Sequence, residues 1–219
     1  MIFLIINMYN NDAYFLRYKK WYKDALKGNK VIFKKWSDTE GIRKTLANNK
    51  IRGIIISGSD YFVKDGNGLG NGKDGNGGNG LGNGKDGNGL GSKVRATIDE
   101  RILRSKIPIL AICYGFQYIV HRFGKDSFIT SGRKGYMKYT SNFQITSPFY
   151  MPKSKYFFFH TDYIVKVPKA FKVIKKIKNK IMIAYNAKKN ILGVQFHPER
   201  YKGSREVFFK LWIDKCVVA

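Results

Sequence analysis

The sequence predicts an α/β fold: an open, mostly parallel sheet flanked by helices, with a small antiparallel β region in the C-terminal half. Three observations lead there. Short apolar runs ("IFLII", "VIFKKW", "RGIIISG", "PILAIC") alternate with segments whose apolar residues recur at helical spacing. Several of those runs are apolar throughout, as strands covered on both faces are. Beyond Gly124 the pattern changes to short strands separated by turn residues.

Taken in order, "IFLII" is a first strand, and "AYFLRYKKWYKDALKG" is a helix that Gly28 can close. "VIFKKW" is the second strand. "SDTE" at 37–40 has the spacing of a capping box and opens a helix through "GIRKTLANN". "RGIIISG" is the third strand. "KVRATIDERILRSK" (93–106) reads as a helix, and "PILAIC" as the fourth strand. After Gly124, "YMKYTSNFQITS", "KYFFFH", "YIVKVP", "FKVIKKIK", "KIMIAYNA" and "NILGVQFH" read as antiparallel hairpins. "SREVFFKLWIDKC" is a final helix in which Cys216 is a packing residue.

The length of 219 residues suits one domain, 1–219. One segment is of another kind. Thirteen of the twenty-nine residues at 64–92 are glycine, and the unit GNGKDGNG recurs. Such a stretch buries too little apolar area to offset its backbone entropy, so a disordered, low-complexity surface insert is expected. Its Asp-Gly-Asn-Gly pieces lack the terminal Glu of a calcium loop.

Composition narrows the setting. No run reaches the roughly 18 apolar residues of a membrane span, and no basic region precedes the first strand. A cytoplasmic protein without a membrane partner is expected. Two cysteines and three histidines give little for a disulfide framework or a zinc site, so no metal is expected. Lys and Arg number 41 against 15 acidic residues. That balance would suit a nucleic acid, but it comes with abundant Lys, Asn, Ile, Phe and Tyr and with no RNA- or DNA-binding motif. Compositional bias accounts for it, and no nucleic-acid partner is expected.

The stretch "ILAICYGFQ" (109–117) carries chemistry. An apolar strand reaches Cys113 and turns at once into a helix, with Ala111 and Gly115 leaving room at the bend. In open parallel sheets that position faces the ligand crevice. The amides of the following helix favour a thiolate, and Gln117 lies one turn along the same face. A buried cysteine closing a core strand would fit the same pattern. A second stretch, "GVQFHPER" (193–200), separates the two readings: His197 ends an apolar strand, and Pro198 holds the extended geometry that lets Glu199 orient the imidazole. Cys113, His197 and Glu199 then form a nucleophile, a base and an orienting group.

"AICYGFQ" together with "GVQFHPE" resembles the class I (triad) glutamine amidotransferase domain across nearly the whole chain outside the insert. "IPILAICYGFQ" and "FFFHTD" (157–162) are most similar to the amidotransferase portion of GMP synthases. The resemblance implies a flavodoxin-like sheet and hydrolysis of L-glutamine to glutamate and ammonia through a Cys113 thioester. It also implies an oxyanion hole built from the backbone amides of Tyr114 and Ser59. Gly58, Gln117, His160 and Asp162 would line the glutamine pocket. "GIIISGSD" (53–60) departs from the family's Ser-Gly-Gly-Pro, with Ser59 and Asp60 at its last two positions. No cofactor is implied for this domain. ATP and Mg would belong to a separate ATP-dependent synthetase, one that aminates XMP. Two other readings stay open: a catalytically inactive amidotransferase-like binding or regulatory protein, and a stand-alone γ-glutamyl amide or peptide hydrolase.

Overall fold

The computed structural model describes residues 1–47, 50–61, 63, 96–131, 137–145 and 149–218. The Gly/Asn-rich segment 64–92 lies outside them. The central element is a seven-stranded sheet in the order β2-β1-β3-β4-β11-β10-β9. Its strands are β1 (Ile2–Asn7), β2 (Lys30–Lys35), β3 (Ile51–Ile56), β4 (Ile109–Ile112), β9 (Lys172–Ile177), β10 (Lys180–Asn186) and β11 (Ile191–Val194). From β2 to β11 the neighbours run parallel, and β10 and β9 extend the sheet by antiparallel pairing.

Alternation along β1 builds two cores. Phe3 and Ile5 pack on one face with α1 (Asp12–Ala25) through Phe15 and Tyr22, and with α5 (Lys202–Trp212) through Phe208, Phe209 and Trp212. Leu4 and Ile6 pack on the other face with Ile42 of α2 (Thr39–Ala47), Ile102 and Leu103 of α3 (Glu100–Arg104), and Phe116, Ile119 and Val120 of α4 (Tyr114–Phe123). Each fully buried aromatic or aliphatic side chain contributes roughly 1.5–3 kcal/mol. From β1 the chain crosses outward to β2 and then back past β1 to β3. The direction of winding therefore reverses at β1, and the crevice beyond the carboxyl ends of β1 and β3 is the switch point where open sheets bind ligands.

Two small antiparallel pairs lie outside the main sheet: β5 (Ile129–Ser131) with β8 (Asp162–Ile164), and β6 (Met137–Ile145) with β7 (Met151–His160). The β6–β7 pair covers the α1/α5 face through Phe143, Tyr156 and Phe158. The C-terminal strands expected as a hairpin region thus divide. Half form the small pairs, while β9–β11 join the main sheet, with Gly193 of β11 opposite Ala111 of β4. Periodicity reports that a strand exists, but not which edge it joins.

Two local expectations are corrected. Within the described residues 96–106, the helix expected over 93–106 is only α3, because Asp99 caps it: its carboxylate accepts from the Arg101 amide at 2.8 Å, and 96–99 are not helical. The cap of α2 is Asp38, not Ser37, with Asp38 Oδ1 accepting from the Gly41 amide at 2.9 Å. Asp38 also pairs with Lys34 at 2.9 Å, which anchors it one residue later than the Ser-x-x-Glu spacing implies. Past α5, a π-helical turn at Ile213–Val217 buries Cys216, whose thiol is pushed up to about 12 by burial. Among the described residues, no helix is long and apolar enough to cross a membrane.

Candidate active site

Cys113 follows β4 directly and stands before the first turn of α4. Its φ of 51° and ψ of −106° break the alternation of the strand: Leu110 and Ile112 pack in one core layer and Ala111 in the other, and Cys113 falls with Ile112. A positive φ at a non-glycine residue costs of order 1–3 kcal/mol and persists only where its surroundings enforce it. Here the Cys113 amide donates to the Val194 carbonyl at 2.7 Å, and its carbonyl accepts from the Gln117 amide at 3.0 Å. Gly115 is required by the approach of β3, since an added β-carbon would lie 2.7 Å from Ile56 Cγ2 and 2.9 Å from the Ile56 carbonyl oxygen. The first amides of α4 have no partner within their own helix, and a helix N-terminus favours negative charge beside it.

His197 lies three residues past β11 and is held by a bridge to β7, its amide donating to the Phe157 carbonyl at 2.7 Å. Nδ1 stands 2.8 Å from Glu199 Oε1, and both side chains are buried. The carboxylate fixes the tautomer by accepting from Nδ1–H, which leaves Nε2 for proton transfer. Burial opposes a charge on this imidazole, yet the Glu199 carboxylate and then the Cys113 sulfur outweigh it, and the pKa lies well above the usual imidazole value. Gly58 makes room for the ring: a β-carbon there would stand 2.8 Å from His197 Cε1. Nε2 makes no hydrogen bond among the described residues. The Cys113 thiol also lies 3.7 Å from the Phe159 carbonyl, to which it can donate.

The segment after β3 is tied to the loop after β1. Ser57 Oγ accepts from the Met8 amide at 2.9 Å, Ser59 Oγ donates to the Met8 carbonyl at 2.6 Å, and Asp60 Oδ1 accepts from the Asn10 amide at 2.7 Å. Ser59 does not have a positive φ, so its backbone is one that serine adopts without strain. Ser59, Cys113, Tyr114, Gln117, Phe159, His160, Thr161 and Asp162 are among the residues lining a cavity of about 10 Å³, room for about one water. Gln117 Nε2 donates to the Asp162 carbonyl at 2.6 Å, which joins α4 to the start of β8. His160 ends β7, and burial pulls its pKa down to about 4. Every residue expected at the site except Gly58, His197 and Glu199 touches that cavity. Gly58 packs on the imidazole of His197, which pairs with Glu199.

The surroundings of Glu199 were not foreseen. Tyr9, just past β1, and Tyr22 of α1 are buried; burial raises both phenols well above their usual pKa, and the charges of Glu199 and Cys113 add to it. Buried Arg205 of α5 donates to the Glu199 carbonyl at 3.4 Å and pairs with Asp24 of α1 at 3.5 Å. Arg200 lies between the rings of Trp21 (4.8 Å) and Phe157 (4.6 Å). In sequence the α1 aromatics carry only the signal of an amphipathic helix, which says nothing of the carboxylate they meet.

Comparison with known proteins bears on the family and the fold. Residues 78–214 match the family model described as glutamine amidotransferase class-I. The GMP synthase (glutamine-hydrolyzing) of Wigglesworthia glossinidia brevipalpis is 30% identical over 184 residues, covering 78% of this chain and 30% of that protein. That of Borreliella burgdorferi (strain N40) is 34% identical over 161 residues, covering 71% and 26%. The chain spans less than a third of the length of these relatives. In three dimensions it resembles a Thermoplasma acidophilum protein described as a candidate GMP synthase subunit, with a TM-score of 0.66 at 17% identity over 100% of this chain and 94% of the other. That likeness concerns the fold, a mostly parallel sheet with helices on both faces. By the family match, the chain belongs to the class-I glutamine amidotransferases.

Proposed function

We propose that the protein is a glutaminase subunit that hydrolyses L-glutamine and passes the ammonia to a separate ATP-dependent synthetase, one that aminates XMP. The observation that carries the reading is the buried His197–Glu199 pair beside a cysteine held at positive φ over a small cavity. In this mechanism the Cys113 thiolate attacks the side-chain amide carbon of glutamine. The negative charge that develops on the amide oxygen is met by the backbone amides of Tyr114 and Ser59. His197 carries the thiol proton to the departing ammonia, and Glu199 stabilises the imidazolium. Water then attacks the thioester, glutamate leaves, and the thiol is restored. Gln117, His160 and Asp162 hold the substrate, His160 as a neutral imidazole. The XMP-aminating partner rests on similarity to proteins named GMP synthase, of which this chain covers only a part.

The test is release of glutamate from glutamine, with and without a candidate synthetase, for wild type and Cys113→Ala. Turnover that disappears in the alanine variant supports the reading, and equal rates in the two proteins refute it.

A second reading, a silent binding or regulatory relative, is favoured by the resting geometry. The cavity admits about one water, and the Cys113 thiol reaches the Phe159 carbonyl at 3.7 Å. The enzyme reading requires the segment around Phe159 to yield as glutamine enters, as catalytic hydrogen bonds often tighten only in the substrate complex.

A further inference from the structure

Gln195 is fully buried, lies between β11 and His197, and has no place in the mechanism above. Its backbone is fixed. The next position along the parallel β4–β11 register after Ile112 and Val194 brings it beside Cys113, and its own amide donates to the Met182 carbonyl of β10 at 2.9 Å. Its side-chain nitrogen stands 3.8 Å from Cys113 Sγ, and Oε1 makes no hydrogen bond among the described residues. A primary amide in such a place is costly, because a buried polar atom left without a partner destabilises the fold by about 1–3 kcal/mol. Leu or Met would fill the volume without that cost.

We infer that Gln195 is a further catalytic residue, donating its side-chain N–H to the Cys113 sulfur so that the thiolate is held in the absence of substrate. The inference rests on the proposed use of Cys113 as a nucleophile. The orientation of the amide follows from the neighbours of the sulfur. The side-chain nitrogen is the atom that stands 3.8 Å from the sulfur, and an amide oxygen facing a thiolate would repel it. The N–H, by contrast, suits both the thiol and the thiolate. Gln195, one residue past β11, thus supplies a neutral donor at the sulfur, while His197 supplies the charge.

The experiment is alkylation of Cys113 by iodoacetamide, followed by mass spectrometry of the Cys113 peptide, for wild type, Gln195→Met and Gln195→Leu from pH 6 to 10. No glutamine is present, so the result does not depend on turnover. The other titratable groups facing the sulfur are His197 beyond β11, Tyr9 and Tyr22 from the β1–α1 side, and Tyr61, Tyr114, His160 and Asp162 around the cavity. They are the same in every protein compared. The expected result is alkylation about tenfold slower in both variants near pH 7, with the rates converging at the alkaline end where the thiolate forms unaided. Thermal melting should show Gln195→Met no less stable than wild type. Equal rates at pH 7, faster alkylation in the variants, or a deficit of the same size at every pH would each overturn the inference. The last of these would mark a change of access alone. A wild type that alkylates as described yet fails to hydrolyse glutamine would leave Gln195's role intact and remove the glutaminase reading instead.

Discussion

His197 Nδ1 and Glu199 Oε1 stand 2.8 Å apart with both side chains buried, and the Glu199 backbone is held in turn by Arg205 of α5. The pair sets the tautomer of the imidazole and supplies the charge that offsets its burial. Glu199→Gln keeps the shape and removes the charge, so an imidazolium formed during proton transfer loses its counter-ion. Glutaminase kcat is expected to fall by about 10²–10⁴-fold with little change in KM, in line with loss of acid–base catalysis. Steady-state kinetics on the two proteins check it, and a KM effect with unchanged kcat would point to substrate binding instead.

Gly58 has a steric duty. The β-carbon of Gly58→Ala would stand 2.8 Å from His197 Cε1, closer than real carbons approach, so the ring must move or the strand must bend. Because an error of about 1 Å at a reacting group can cost about 100-fold, kcat is expected to drop by about that factor. Circular dichroism at the assay temperature should show a folded protein. A variant with wild-type turnover would mean that the imidazole is not fixed from this side.

Ser59 is locked by its own hydroxyl. Its bond to the Met8 carbonyl (2.6 Å) ties the segment after β3 to the loop after β1, and its backbone needs no glycine. Ser59→Gly should therefore be no faster than wild type. It should lose about 1–3 kcal/mol of stability, because the hydroxyl donates to the Met8 carbonyl and also accepts from the Tyr61 amide at 3.0 Å. Urea unfolding and initial rates give both numbers. A rate gain in the glycine variant would show that the backbone at 59 is held away from its working conformation.

His160 makes stability depend on pH in a defined window. Burial lowers its folded pKa from 6.5 to about 4, so the unfolded chain takes up a proton between those values and the folded chain does not. Stability from this group is present above about pH 6.5 and is lost as pH falls toward 4, by at most about 3 kcal/mol. His197 runs the other way: its raised pKa contributes below pH 6.5, and that contribution is lost as pH rises through the folded value. In His160→Gln, urea midpoints at pH 7 and pH 5 should lie closer together than in wild type. An unchanged gap would place the acid sensitivity elsewhere.

The His197–Glu199 pair and the bend at Cys113 were legible because their residue types and spacing are local: a cysteine at a strand-to-helix junction, and a histidine two positions from a carboxylate. The first four strands were legible for the same reason, as were most of the helices. What escaped was set by distance in sequence. That β11 would insert beside β4 is a matter of pairing between residues some eighty positions apart, and it places Gln195 against Cys113. Tyr9, Tyr22 and Arg205 reach Glu199 from elements whose patterns record only an apolar face. Asp38 and Asp99 displaced the expected helix starts because capping is decided by which side chain reaches a free amide.

The central claim, that Cys113 attacks the side-chain amide carbon of glutamine, is tested most directly by trapping. The protein is incubated with a diazoketone analogue of glutamine and digested, and the modified peptide is identified by mass spectrometry, with excess glutamine as competitor. A single adduct on Cys113, suppressed by glutamine and absent in Cys113→Ala, is the expected result. An unmodified Cys113 in folded protein, or labelling that glutamine does not suppress, would contradict it.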